Sequence, residues 1–75
     1  STALRLNPSA AEAFWARGRL RADRGEHAAA VADYSWVLKL DPAHGGALNL
    51  RGVAHAELQQ HDKAVADFTA AVRVD

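Results

Sequence analysis

The residue types able to do chemistry in this chain are histidines, serines and a run of arginines. His27, His44, His55 and His61 hold no pair four residues apart, and the chain has no cysteine. That spacing gives neither the two-histidine helical face nor the mixed sulfur and nitrogen set that binds zinc. The lack of cysteine also removes disulfides and thiol catalysis. Ser1, Ser9 and Ser35 stand in no strained strand-to-helix turn with a base at hand, so none reads as a hydrolase nucleophile. Gly45 and Gly46 lack the lysine that follows the glycines of a phosphate-cradling loop. Arg17, Arg19, Arg21 and Arg24 cluster closely enough to touch phosphate, which raises RNA binding as a minor alternative. Asp23 lies among them and Glu12 and Glu26 flank them, and nine basic residues balance nine acidic ones, so nucleic acid is disfavoured as a partner. The chain reads as a non-enzyme with no cofactor and no metal.

The work must therefore lie in surfaces, and composition says how they are held. At 75 residues the chain supports one small core, and burial has little margin over the conformational entropy of ordering it. Apolar residues make up 49% and charged residues 24%, a globular balance that predicts folding. No stretch reaches the apolar length that crosses a bilayer, so no membrane partner is expected, and no signal sequence opens the chain.

Comparing the sequence with itself at an offset of 34 brings Arg17 and Gly18 onto Arg51 and Gly52, His27 onto His61, and Ala30 to Asp33 onto Ala64 to Asp67. Tyr34 meets Phe68, and Leu4, Leu6 and Pro8 meet Leu38, Leu40 and Pro42. Such a period marks stacked supersecondary units. The division that follows is residues 1–10 as the tail of a preceding repeat, then repeats at 11–44 and 45–75. Within each unit Ala30, Val31, Tyr34, Val37 and Leu38, or Ala64, Val65, Phe68, Ala71 and Val72, fall on one helical stripe. Helix-prone runs precede them at about 11–24 and about 45–58, giving four short helices. Breaks are expected at Pro8 and Pro42, which cannot continue a helix, at Gly25, and less sharply at Gln59 and Gln60. Ser9 is placed to cap the helix after Pro8.

The pattern resembles the tetratricopeptide repeat: Phe14, Gly18, Ala30, Tyr34 and Pro42 in one unit, and Leu48, Gly52, Ala64 and Phe68 in the next. The resemblance covers nearly the whole chain and implies an all-α fold, a right-handed superhelical solenoid of antiparallel helix hairpins. Gly18, Gly52, Ala30 and Ala64 would then stand where helix backbones approach closely, with the large residues filling the gaps between them. Arg17 and Arg51 replace the usual leucine, and Arg21 and His55 the usual tyrosine, which predicts a weakened core. Arg17 with Asp33 and Arg51 with Asp67 recur in register and are expected to pair between helices.

By the same resemblance, the function is a protein–protein interaction scaffold whose concave groove, lined by the first helix of each repeat, takes a partner peptide or helix. The positions so implied are Glu12, Trp15, Arg19 and Asp23 in the first unit and Asn49, Val53 and Glu57 in the second, with Ala22, Gly46 and Ala56 beside them. Trp15 and Arg19 are the residue types that anchor interfaces. The positions of the lysine and asparagine clamp by which one subtype grips chaperone tails hold Trp15, Arg19 and Leu50 here, so that clamp is not carried over in its usual form. Trp36 falls on the other side of its helix from Ala30 and Tyr34, and marks a second contact surface unless the neighbouring repeat, or Leu4 and Leu6, cover it. Two repeats are fewer than the three usually needed, and Val65, Phe68 and Val72 would face water. A homo-oligomer, or further repeats of a parent chain, is the alternative partner.

Overall fold

The computed structural model describes the backbone of residues 2–74 and the side chains of residues 10–74. Four helices follow in order: α1 (Thr2–Asp23), α2 (His27–Leu40), α3 (Gly45–Glu57) and α4 (His61–Val74). No strand occurs among the described residues, and the fold is an all-α helical repeat. Adjacent helices pack in sequence, α1 on α2, α2 on α3 and α3 on α4, within a body of 42 × 28 × 14 Å.

The expected break at Pro8 is absent, because α1 runs unbroken through that position and Ser9 lies inside it rather than at its cap. Residues 2–10 are thus continuous with α1. Proline removes one N–H from the ladder at a cost of about 3 kcal/mol, which biases against a helix without forbidding it. The matching turn at Pro42 has help that Pro8 lacks. There the Asp41 carboxylate accepts the Ala43 N–H at 3.3 Å, and His44 caps α3 by accepting the Ala47 N–H on Nδ1 at 2.9 Å. At the equivalent places the first unit has Asn7, Ser9 and Ala10, followed by Ala11 and Glu12 in place of Gly45 and Gly46. Alanine and glutamate favour helix where His44 and the glycines stop it.

Both hairpin turns close identically. Gly25 takes a left-handed φ of 81°, with the Gly25 N–H donating to Ala22 O and the Glu26 N–H to Arg21 O. Gln59 does the same at φ 65°, its N–H reaching Ala56 O and that of Gln60 reaching His55 O. This bond pair satisfies the last carbonyls of α1 and α3. Glycine adopts that φ freely, whereas glutamine is strained there.

The core is a chain of small residues and rings. Ala30, Val37, Ala47, Ala54 and Ala64 are buried, and Tyr34 lies against Gly18 of the neighbouring helix. A Cβ on Gly18 would meet the Tyr34 ring at 2.7 Å, and one on Gly52 would meet Phe68 at 2.7 Å, so each glycine is what lets the two helices of a hairpin close. The first hairpin carries a hydroxyl that the second lacks. Tyr34 Oη is buried with no hydrogen-bond partner among the described residues. Burial pushes its pKa up; Arg19 opposes the shift, and Asp23 and Asp33 add to it.

Five substitutions test these points, all readable by urea or thermal unfolding. Gln59→Gly relieves the left-handed strain and raises stability by about 1 kcal/mol, while Gly25→Ala lowers it by a similar amount. Gly18→Ala forces the Tyr34 ring to move and lowers stability by about 1–2 kcal/mol, whereas Gly45→Ala, whose Cβ meets nothing nearer than 3.9 Å, gains up to about 0.5 kcal/mol. Tyr34→Phe discards an unpaired buried hydroxyl and holds or raises stability, by up to about 1 kcal/mol. The raised phenol pKa means the fold favours the neutral form, a contribution full below the ordinary tyrosine pKa and lost as pH rises from there through the raised value. The alkaline decline of stability is therefore shallower in Tyr34→Phe.

Candidate functional site

Helix α1 presents Trp15, Arg19 and Asp23 at four-residue spacing along one face, and α3 presents Asn49, Val53 and Glu57 likewise. The two faces border two adjoining cavities, which together make a channel. A cavity of about 420 Å³ is lined by Trp15, Arg19, Ala22, Asp23, Tyr34, Gly46, Asn49 and Leu50. A second, of about 240 Å³, is lined by Ala22, Asp23, His27, Tyr34, Leu50, Val53, Ala54 and Glu57. Ala22, Asp23, Tyr34 and Leu50 belong to both, so the cavities share a floor. Glu12 and Ala56 line neither, although Glu12 is exposed one turn before Trp15.

Trp15 is held rather than loose. Its ring lies 5.7 Å from Tyr34 and 4.7 Å from His44, both at tilted angles near 50°, with interplanar values of 52° and 48°. The Arg19 guanidinium carbon sits 5.8 Å from the Trp15 centroid. A Cβ on Gly46 would meet the indole at 3.0 Å, so the glycine at the start of α3 makes the room in which the ring sits. Half-buried Trp15 thus offers one edge to the channel while the rest packs. Tyr34 and Leu50 of the shared floor, with His27 and Ala54 beside them in the second cavity, were not among the expected groove-facing residues, Leu50 having been named only as a clamp position. Tyr34 reads from sequence only as a core aromatic, and it serves both places.

Behind the channel lie two ion clusters. Arg17 forks onto Asp33, its Nε donating to Oδ2 at 3.1 Å and its Nη2 to Oδ1 at 2.8 Å, with Arg21 Nη1 at 3.5 Å from Oδ2. Arg51 forks onto Asp67 at 2.9 and 2.8 Å and uses Nη1 to reach Ser35 Oγ on α2 at 3.1 Å. His55 approaches the same carboxylate with Nε2 at 3.7 Å, and its Nδ1 lies 2.8 Å from Gln60 Oε1. Hydrogen bonding to Asp33 and its charge push the Arg17 pKa further up, burial opposing. Arg17, Arg21, Arg51 and His55 therefore do not simply weaken the core as expected from the missing leucine and tyrosine. They surround two carboxylates that α2 and α4 bury, with Asp33 only 1% exposed and Asp67 6%.

The remaining expected surface residues lie apart from the channel. Trp36 is 47% exposed, stacked on Phe14 at 5.6 Å and 13°, with Lys39 Nζ 4.9 Å from its centroid. Leu4 and Leu6, the other residues expected to cover it, lie outside those whose side chains are described. Val65 and Val72 are exposed on α4, and Phe68 is half-buried against Gly52. A further cavity, of about 610 Å³, opens between α3 and α4 beside Asn49, Phe68 and Val72. His27 and His61 begin α2 and α4. No group of three His, Asp or Glu is placed to hold a metal among the described residues, and no helix of theirs is long and apolar enough to cross a membrane.

A family model for the tetratricopeptide repeat matches residues 1–35 and again residues 17–74. Comparison with curated proteins finds no match. The two matched stretches span nearly all of the chain, and its paired hairpins, glycine-seated rings and helical period agree with them. On that footing the chain belongs to the tetratricopeptide repeat family, non-catalytic repeat scaffolds that generally mediate protein–protein interaction.

Proposed function

We propose that the chain is a protein-interaction scaffold that takes an extended peptide or a helix of a partner protein in the channel between α1 and α3. The observation that carries this reading is the shared floor of the two cavities, bordered by Trp15, Arg19 and Asp23 on one side and by Asn49, Val53 and Glu57 on the other. Ala22, Leu50 and exposed Val53 supply apolar wall, and the Asn49 amide both donates and accepts, as a peptide backbone requires. Trp15, already packed against Tyr34 and His44, loses little rotamer freedom on contact. Charge gives the channel a direction. Arg19 lines only the cavity beside Trp15 and Glu57 only the other, with Asp23 shared between them, which favours a ligand acidic near the indole and basic beyond it.

The chain has two tryptophans, so Trp36→Phe leaves Trp15 as the sole indole. Peptides selected from a displayed library on the immobilised chain are expected to shift Trp15 emission. Arg19→Ala with Asn49→Ala should weaken them by roughly tenfold or more, since each lost contact is worth about 1 kcal/mol or above. Selected peptides that bind the double variant as tightly as the parent would retire the channel as the site.

A further inference from the structure

We infer that the second cavity of the channel, between the last turns of α1 and α3, is a pocket for a lysine side chain of the bound partner, with Tyr34 Oη and His27 Nδ1 as acceptors of its ammonium. This rests on the channel reading and adds to it the residue type that one part of the channel takes. Two buried side-chain polar atoms lack a hydrogen-bond partner among the described residues, and they are these two. Both residues line the same cavity, of about 240 Å³. A buried polar atom left unbonded is unfavourable, and two of them on one cavity call for a common partner. The volume is several times the roughly 30 Å³ share of one water, which leaves room for an unbranched side chain. Nor does the fold need the hydroxyl. At the equivalent position Phe68 seats on Gly52 as closely as Tyr34 seats on Gly18, with no hydroxyl, and Phe68 lines a different cavity. His61, the equivalent of His27, is exposed, with Nε2 3.4 Å from Gln59 Oε1. The unbonded pair therefore belongs to the one unit whose ring floors the channel.

Charge sets the sign of the occupant. Asp23 on α1 and Glu57 on α3 line this cavity, both exposed, and neither is ion-paired among the described residues. Arg19 lines only the neighbouring cavity, its guanidinium beside Trp15. Besides burial, the charges that act on the Tyr34 phenol are those of Arg19, Asp23 and Asp33, and two of these three residues line the channel. A phenol oxygen accepts through its lone pairs, and a neutral histidine with its proton on Nε2 accepts on Nδ1. Two neutral acceptors with two carboxylates around them suit a cation that carries several donors. The acceptors come from three helices, a spread that fits the compact ammonium of lysine. A guanidinium instead matches a two-oxygen fork, such as Asp33 and Asp67 give to Arg17 and Arg51. Ala22, Leu50, Val53 and Ala54 supply the apolar wall along which the methylene stem of a lysine lies.

The probe is a set of peptides selected from a displayed library on the immobilised chain, each remade with one lysine at a time replaced by norleucine, which keeps the stem and drops the charge, or by arginine. One lysine is expected to dominate. Its norleucine version should bind about tenfold or more weakly, and its arginine version should not restore the loss. Tyr34→Phe, with its fold checked by thermal unfolding, should weaken the lysine peptide about tenfold and leave the norleucine version unchanged, as the loss of one hydrogen bond to a charged group. Peptides that need no lysine overturn the pocket. So does arginine that binds as well as lysine, or a Tyr34→Phe chain that holds the lysine peptide as tightly as the parent. If Arg19→Ala with Asn49→Ala still weakens the peptides in those cases, the channel stands and only the lysine pocket falls. Peptides indifferent to that double change, or a library that yields no binder, remove channel and pocket together.

Discussion

Two carboxylates, Asp33 and Asp67, sit almost wholly out of water, and an unpaired charge there would cost more than this small fold can spare. Each is held by a guanidinium fork sixteen residues earlier, on the other helix of its hairpin. The fork reaches only if the helices lie close, and they lie close because Gly18 and Gly52 have no Cβ to strike the facing ring. Carboxylate, arginine, glycine and aromatic ring therefore act as one device, used twice. Removing any member strains the others: a Cβ on Gly18 would also press on the Asp33 side chain at 3.2 Å. Arg51 extends the device by bonding Ser35 on the preceding hairpin, so the charge that locks one hairpin also fixes its neighbour.

Much of this was legible in the residues. The period, the four helices and the Arg–Asp register all stand in the 34-residue echo, because repeated environments need repeated side chains. The rest was not, for local reasons. Gln59 hides a left-handed turn that Gly25 advertises, since tertiary closure of the hairpin overrides the residue's own preference. Pro8 reads as a stop only if its surroundings are ignored, and those surroundings lack the cap and glycines that end a helix at Pro42. Arginine at a leucine position looks like damage to a core until the buried carboxylate opposite it is placed in space. The residues bordering the channel are those the family resemblance implied, but its floor was not foreseen, because Tyr34 and Leu50 belong to stripes that also pack inward.

The two hairpins share a frame yet differ in what they show. The first presents an indole and a guanidinium to the channel above the buried ring of Tyr34, while the second presents an amide and a valine, and the plain ring of Phe68, at the phenol's repeat position, lines a different cavity. The residues that hold each hairpin together recur almost unchanged, and those that face outward do not. A scaffold built in this way can vary its surface residue by residue without disturbing the locks behind it. Trp36, with only Ala70 as its counterpart, is the extreme case of that freedom.

Thickness has a consequence of its own. The body is 14 Å through its thinnest direction, about one layer of packed helix pairs, so it has a seam and no centre. Most buried residues lean on the helix before or after their own, so among the described residues a disturbance in one hairpin reaches the other chiefly through the α2–α3 junction. Amides in the middle two helices, flanked on both sides, should exchange with solvent more slowly than those in the outer pair, and opening should travel inward from the flanks.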